Sequence, residues 1–162
     1  MIEEYSIERQ DKCIVLTNND KFNDDTREFE TFPKTIKRVI TFLNNLYPLY
    51  IYYVDHYKSS VHHNNYVILD KMLRRDLIVF EAIDLDDFNR EYISERFILG
   101  TTNIKELLIK IKSNKFRSFK ELNEFLELNC DFTCKIFDSA YLEVKSQSKT
   151  IIENIEKLVQ KS

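Results

Sequence analysis

Apolar positions recur along this chain with two different periods, and each period marks a different kind of element. Residues 4–9 (EYSIER) and 13–17 (CIVLT) are short runs separated by the polar stretch Gln10 to Lys12, which predicts a β-hairpin. Residues 18–32 are polar and acidic and predict an exposed loop. From Pro33 the period lengthens: Ile36, Val39, Ile40, Leu43 and Leu46 share one helical face. Proline suits the first turn of such a helix, where its missing amide hydrogen would have had no partner. Tyr47-Pro48 ends the helix, and LYIYYVDHY (49–57) predicts a strand, because aromatic and β-branched side chains fit a pleated surface.

Residues 58–65 (KSSVHHNN) predict a loop, and 66–72 fit a strand better than a helix. DLIVFEAI (76–83) has the continuous apolar run of a buried strand. LDDFNREYISERFIL (85–99) predicts a helix capped by Asp84, with Phe88, Tyr92 and Phe97 among its apolar positions. Gly100 then stands where a left-handed helix cap favours glycine. Ile104, Leu107, Leu108 and Ile111 mark a helix capped by Asn103, and Ser118 with Glu121 forms a capping box opening a helix over 119–128. Residues 131–137 and 140–146 alternate about Asp138-Ser139 as a second hairpin. A last helix, 150–160, carries Ile151, Ile152, Ile155, Leu158 and Val159, with Glu153 four residues before Lys157 on its outer face. Regular βαβ alternation is missing. The order predicts a single α+β domain over 1–162, a largely antiparallel sheet with helices packed on it.

Composition sharpens this picture mainly by exclusion. A hydrophobic share of 43% is enough to build one core from 162 residues. One glycine, however, cannot furnish a phosphate-binding loop, a dinucleotide fingerprint or a nucleophile elbow, each of which needs several for positive φ or close backbone approach. No catalytic residue and no cofactor is therefore expected. The acidic start MIEEYSIERQ does not fit a signal peptide, and no apolar run approaches a membrane span of roughly 18 residues. Cys13, Cys130 and Cys134 are odd in number, which suits reduced thiols in the cytoplasm.

Four groupings of side chains carry possible chemistry. His56, His62 and His63 lie within eight residues, with Asp55 beside them, but their spacing matches no metal motif and no metal is expected. Cys130 and Cys134 are four apart and read as small apolar packing residues, on one strand face if the strand begins early enough. Five of nine tyrosines fall between Tyr47 and Tyr57. In a strand, Tyr50 and Tyr52 share one side with Val54, while Ile51 and Tyr53 share the other. Either one side displays tyrosines as contact residues, or helices cover both.

Charge is unevenly placed. Residues 33–75 hold seven bases against two acids, while 76–100 hold seven acids against two bases. The acidic block contains Glu81, Asp84, Asp86, Asp87, Glu91 and Glu95, and on a helix from Asp84 the positions 84, 87, 91 and 95 fall on or near one face. Such a stripe steers toward a basic protein; alternatively it is a solvated face whose early acids complement the helix dipole.

LNEFLELNCDFTCKIFDSAYLEVK, with Cys130-Asp131 before a strand, Asp138-Ser139, and then Tyr141-Leu142-Glu143, resembles the C-terminal part of a Bacillus-type family of small cytosolic proteins. That family has no assigned activity, so the resemblance implies no site residue. In size, acidity and lack of catalytic signature the chain is similar in general character to immunity proteins that neutralise bacterial toxins and to phage inhibitors of host defence. The expected function is binding of a basic toxin or defence effector through Asp84, Asp86, Asp87, Glu91, Glu95, Tyr50 and Tyr52, without membrane attachment. The alternative is nucleic-acid binding by Lys34, Lys37, Arg38, Lys58, Arg74 and Arg75, with Tyr50 or Tyr52 stacking on bases. A metal-dependent enzyme at the histidines ranks third.

Overall fold

A computed structural model describes residues 5–19, 32–56, 65–69, 76–90, 95–137 and 140–160. Its centre is an eight-stranded sheet in which every adjacent pair runs antiparallel. The strands are β1 (Tyr5–Gln10), β2 (Cys13–Asn18), β3 (Leu49–His56), β4 (Asn65–Leu69), β5 (Asp76–Ala82), β6 (Arg96–Gly100), β7 (Phe132–Phe137) and β8 (Tyr141–Ser146). Their spatial order is β1-β2-β8-β7-β6-β3-β5-β4. The helices are α1 (Phe32–Leu46), α2 (Leu85–Arg90), α3 (Ile104–Lys112), α4 (Phe119–Asn129) and α5 (Lys149–Gln160). The α+β class and the antiparallel sheet follow the sequence pattern. None of the described helices is long and apolar enough to cross a membrane.

The sheet is covered on both faces, which decides how its sequence must read. On one face α1 and α5 bury Ile36, Val39, Ile40, Leu43, Ile151, Ile152, Ile155 and Val159 against Ile14, Leu16, Leu142, Val144, Ile98 and Phe132, with Phe88 of α2 joining them. On the other face Leu107 and Ile111 of α3 and Leu122 and Leu126 of α4 pack on Tyr52, Ile78, Phe80 and Leu99. Two hairpin–helix units, β1-β2-α1 and β7-β8-α5, meet where β2 pairs with β8. At the α5 end of this contact Arg38 donates to the carbonyl of Leu158 at 3.3 Å, and Tyr5 donates through its hydroxyl to the carbonyl of Val159. A cation and donors of this kind satisfy the last carbonyls of a helix.

Three features depart from the sequence reading. The helix expected over 85–99 is described only as Leu85–Arg90, and Arg96–Gly100 is a strand between β3 and β7. Ile98 and Leu99 are both fully buried, yet they point into opposite cores. A central strand buries both faces, so its apolar run is continuous and mimics part of a helical pattern. Gly100 is accordingly not a helix cap. A Cβ there would lie 2.2 Å from the Phe132 ring across the β6–β7 ladder, so glycine is required for close approach. Glu153 does not pair with Lys157; it lies 3.8 Å from Arg9 of β1, which also reaches Glu156 at 3.6 Å. The loops expected over 18–32 and 58–65, the latter with its histidines, lie largely outside the described residues, as do 70–72 of the strand expected over 66–72.

Candidate functional site: an acidic cleft beside the central strands

Strand β3 pairs with β5 from Tyr50–Ala82 to its end at His56–Asp76, but with β6 only from Leu49–Gly100 to Ile51–Ile98. Where the second ladder stops, a cleft of about 550 Å³ opens. Its walls are Tyr52 and Tyr53 of β3, Glu81 and Ala82 at the end of β5, Asp84 and Phe88 around the start of α2, and Glu95, Arg96 and Phe97 leading into β6. Three carboxylates from three separate segments therefore meet at one opening: Glu81 is half-buried, while Asp84 and Glu95 are exposed.

Local sequence explains each placement. Glu81 sits opposite Ile51 in the ladder, so it shares that residue's side of the sheet and reaches the rim where the strand ends. Asp84 is the cap of α2: its Oδ1 accepts from the amide of Asp86 at 3.0 Å, and its carbonyl accepts from the amide of Phe88 at 2.9 Å. This cap pins the cleft wall and turns the Phe88 ring into the core below it, where it is 5% exposed. Glu95 is the residue before β6, and its carbonyl accepts from Arg96 Nη1 at 2.9 Å. The guanidinium thus folds back on its own backbone, leaving the cleft with three acids against one base among its described lining residues.

The seven residues singled out in the sequence are divided by the structure. Asp84, Glu95 and Tyr52 line the cleft; Asp86 is exposed on α2 beside it; Asp87 stands on α2; and Glu91 lies outside the described residues. The carboxylates converge through a turn and a strand start, so the single helical stripe from Asp84 to Glu95 is corrected. The display of Tyr52 is corrected too: it is 3% exposed, within about 6 Å of the Phe80, Phe97 and Phe119 rings, and its hydroxyl donates to Asn123 Oδ1 at 2.8 Å. Burial holds its phenol well above the ordinary tyrosine range. Tyr50 is half-buried against the same core, so helices cover this side of β3, and Ile51 packs into the opposite core. Sequence reasoning passed over Phe88, Arg96 and Phe97 as cleft residues, and their convergence depends on a ladder that ends early, which no local pattern encodes.

The other groupings are also separated. Cys130 ends α4 and joins the α3–α4 core, whereas Cys134 on β7 faces the α1–α5 core, so the two thiols lie on opposite faces of the sheet. Burial, followed by the Asp131 carboxylate, pushes the Cys130 thiol up to about 12, and burial followed by Glu143 raises Cys134 as well. Among the described residues no group of three His, Cys, Asp or Glu side chains is arranged to hold a metal ion. His62 and His63 lie outside that set, as do Lys58, Arg74 and Arg75. Lys37 and Arg38 of α1 border a shallow groove with Phe42 and Leu158, remote in sequence from the acidic cleft.

Comparison with protein-family models, curated proteins and solved structures finds no match to this chain.

Proposed function

We propose that this protein is a non-enzymatic binding module of the cytoplasm, an inhibitor that receives a basic protein in the acidic cleft. The observation carrying this reading is the convergence of Glu81, Asp84 and Glu95 on an opening that also presents Tyr53 and Phe97. A lysine or arginine entering such a cleft lays its aliphatic stem or guanidinium against the rings while its charge meets the carboxylates. The field of these acids also speeds encounter with a cationic surface. The partner class that fits is a basic toxin, with this chain as its immunity protein, or a defence effector met by a phage-encoded inhibitor.

Nucleic-acid binding is the weaker reading, because of its two stacking candidates Tyr52 is buried against α4 and Tyr50 is half-buried against the same core. The test is capture of partners from the source cell with the wild type, with Glu81→Lys/Glu95→Lys, and with Glu8→Lys, exposed on the edge strand β1 at the far side of the sheet, as a charge control away from the cleft. Retention of a basic protein by the wild type and the control, but not by the double variant, supports the proposal. Equal retention by all three, or retention of nucleic acid alone, overturns it.

A further inference from the structure

Four polar side chains are buried in the described core: Thr35, Thr101, Thr133 and Ser146. Three have partners. Thr101 Oγ1 accepts from the amide of Asn103 at 3.3 Å, Ser146 Oγ donates to the carbonyl of Asp131 at 2.7 Å, and Thr35 also has a partner. Thr133 is 7% exposed, and its hydroxyl has no hydrogen-bond partner among the described residues. Leaving a buried hydroxyl unsatisfied is costly, so native proteins rarely do so without a solvent molecule in reach.

Such a place exists directly above it. In the ladders Thr133 stands opposite Leu99 and Lys145, on the sheet face that α4 covers. Between that face and α4 lies a recess of about 20 Å³, lined by Thr133 and Tyr52 with Asn123, Glu127, Lys135 and Glu143 around them. About 10–15 Å³ suffices for one water, and a water needs two to four polar partners. The recess meets both conditions and is too small for a larger guest.

Charge selects the guest further. Glu127 and Glu143 are balanced by Lys145, whose Nζ lies 3.1 Å from one and 3.7 Å from the other, and by Lys135, whose Nζ sits 5.6 Å from the centre of the Phe97 ring. The surroundings are neutral as a set, so neither a cation nor an anion is called for. We propose that the recess binds one ordered water, held by the Thr133 hydroxyl, that completes a polar seam seating α4 on the sheet. The Tyr52–Asn123 bond and the Glu127–Lys145 pair form the rest of this seam, each joining α4 to a strand.

Water-selective cross-relaxation measured by NMR on the full chain tests this. The wild type is expected to show transfer from a bound water to the Thr133 methyl and Tyr52 ring protons. Thr133→Ser, which keeps the hydroxyl but has no methyl, retains the transfer to the Tyr52 ring protons, and Thr133→Val, which keeps the shape, loses it. The thermal midpoint of Thr133→Val falls by about 2–4 °C, the shift that loss of one net hydrogen bond produces in a chain of this size. Absence of the water signal from the wild type overturns the proposal. So does a Thr133→Val midpoint equal to or above that of the wild type, because a methyl group relieves a hydroxyl buried in a dry site.

Discussion

At the scale of single residues, two positions show how far packing departs from propensity. The lone glycine was legible as significant but not in its role, since the constraint comes from Phe132, 32 residues further along the chain and paired with it across the β6–β7 ladder. Gly100→Ala forces the fully buried Phe132 ring to move, and Tyr47 meets that ring edge-on at 5.8 Å. Overpacking of this kind costs about 1–3 kcal/mol, so the urea midpoint should fall accordingly with the m-value unchanged. The second position is Cys130. Its thiol titrates near 9.0 when unfolded and at about 12 in the fold, so between these values the unfolded chain has lost a proton that the native chain retains. Stability from this group is complete below pH 9 and declines as pH rises toward 12. Urea midpoints taken from pH 8 to 10.5 should fall, and fall less steeply in Cys130→Ala.

Among elements, the legible ones are those whose signal is local. Ser118 Oγ accepts from the amide of Glu121 at 3.2 Å, and Glu121 Oε2 in turn accepts from the amide of Arg117 at 2.6 Å, one residue earlier than the ideal capping box. Asn103 caps α3 in the same way, accepting from Glu106 at 3.1 Å. Removing the cap with Ser118→Ala should lower stability by about 0.5–2 kcal/mol, and hydrogen exchange should quicken first in the opening turn of α4. Both hairpins were readable because alternation and turn residues lie side by side in sequence. The strand Arg96–Gly100 was not, because its identity depends on partners on both flanks, Leu49–Ile51 and Phe132–Ile136. Its apolar run continues a pattern begun at Leu85, and sequence alone gives no sign that the helix has ended.

For the whole molecule, the acidic block was visible as composition, while its shape was not. Charge counts located Glu81, Asp84 and Glu95, but only the early end of the β3–β6 ladder gathers them at one opening. Of the basic segment before them, Lys34 and Arg38 are exposed, with Arg38 donating to the end of α5, while Tyr52 is sealed under α4 and Tyr50 is half-buried against the same core. The central claim is that the cleft recruits a cationic protein by charge. Its most direct test is the association rate of the captured partner as a function of ionic strength, measured for the wild type and for Glu81→Lys/Glu95→Lys. The account predicts that the double variant associates about tenfold more slowly or worse at low salt, and that its rate responds less to added salt. Identical rates and identical salt slopes in a folded double variant would contradict it.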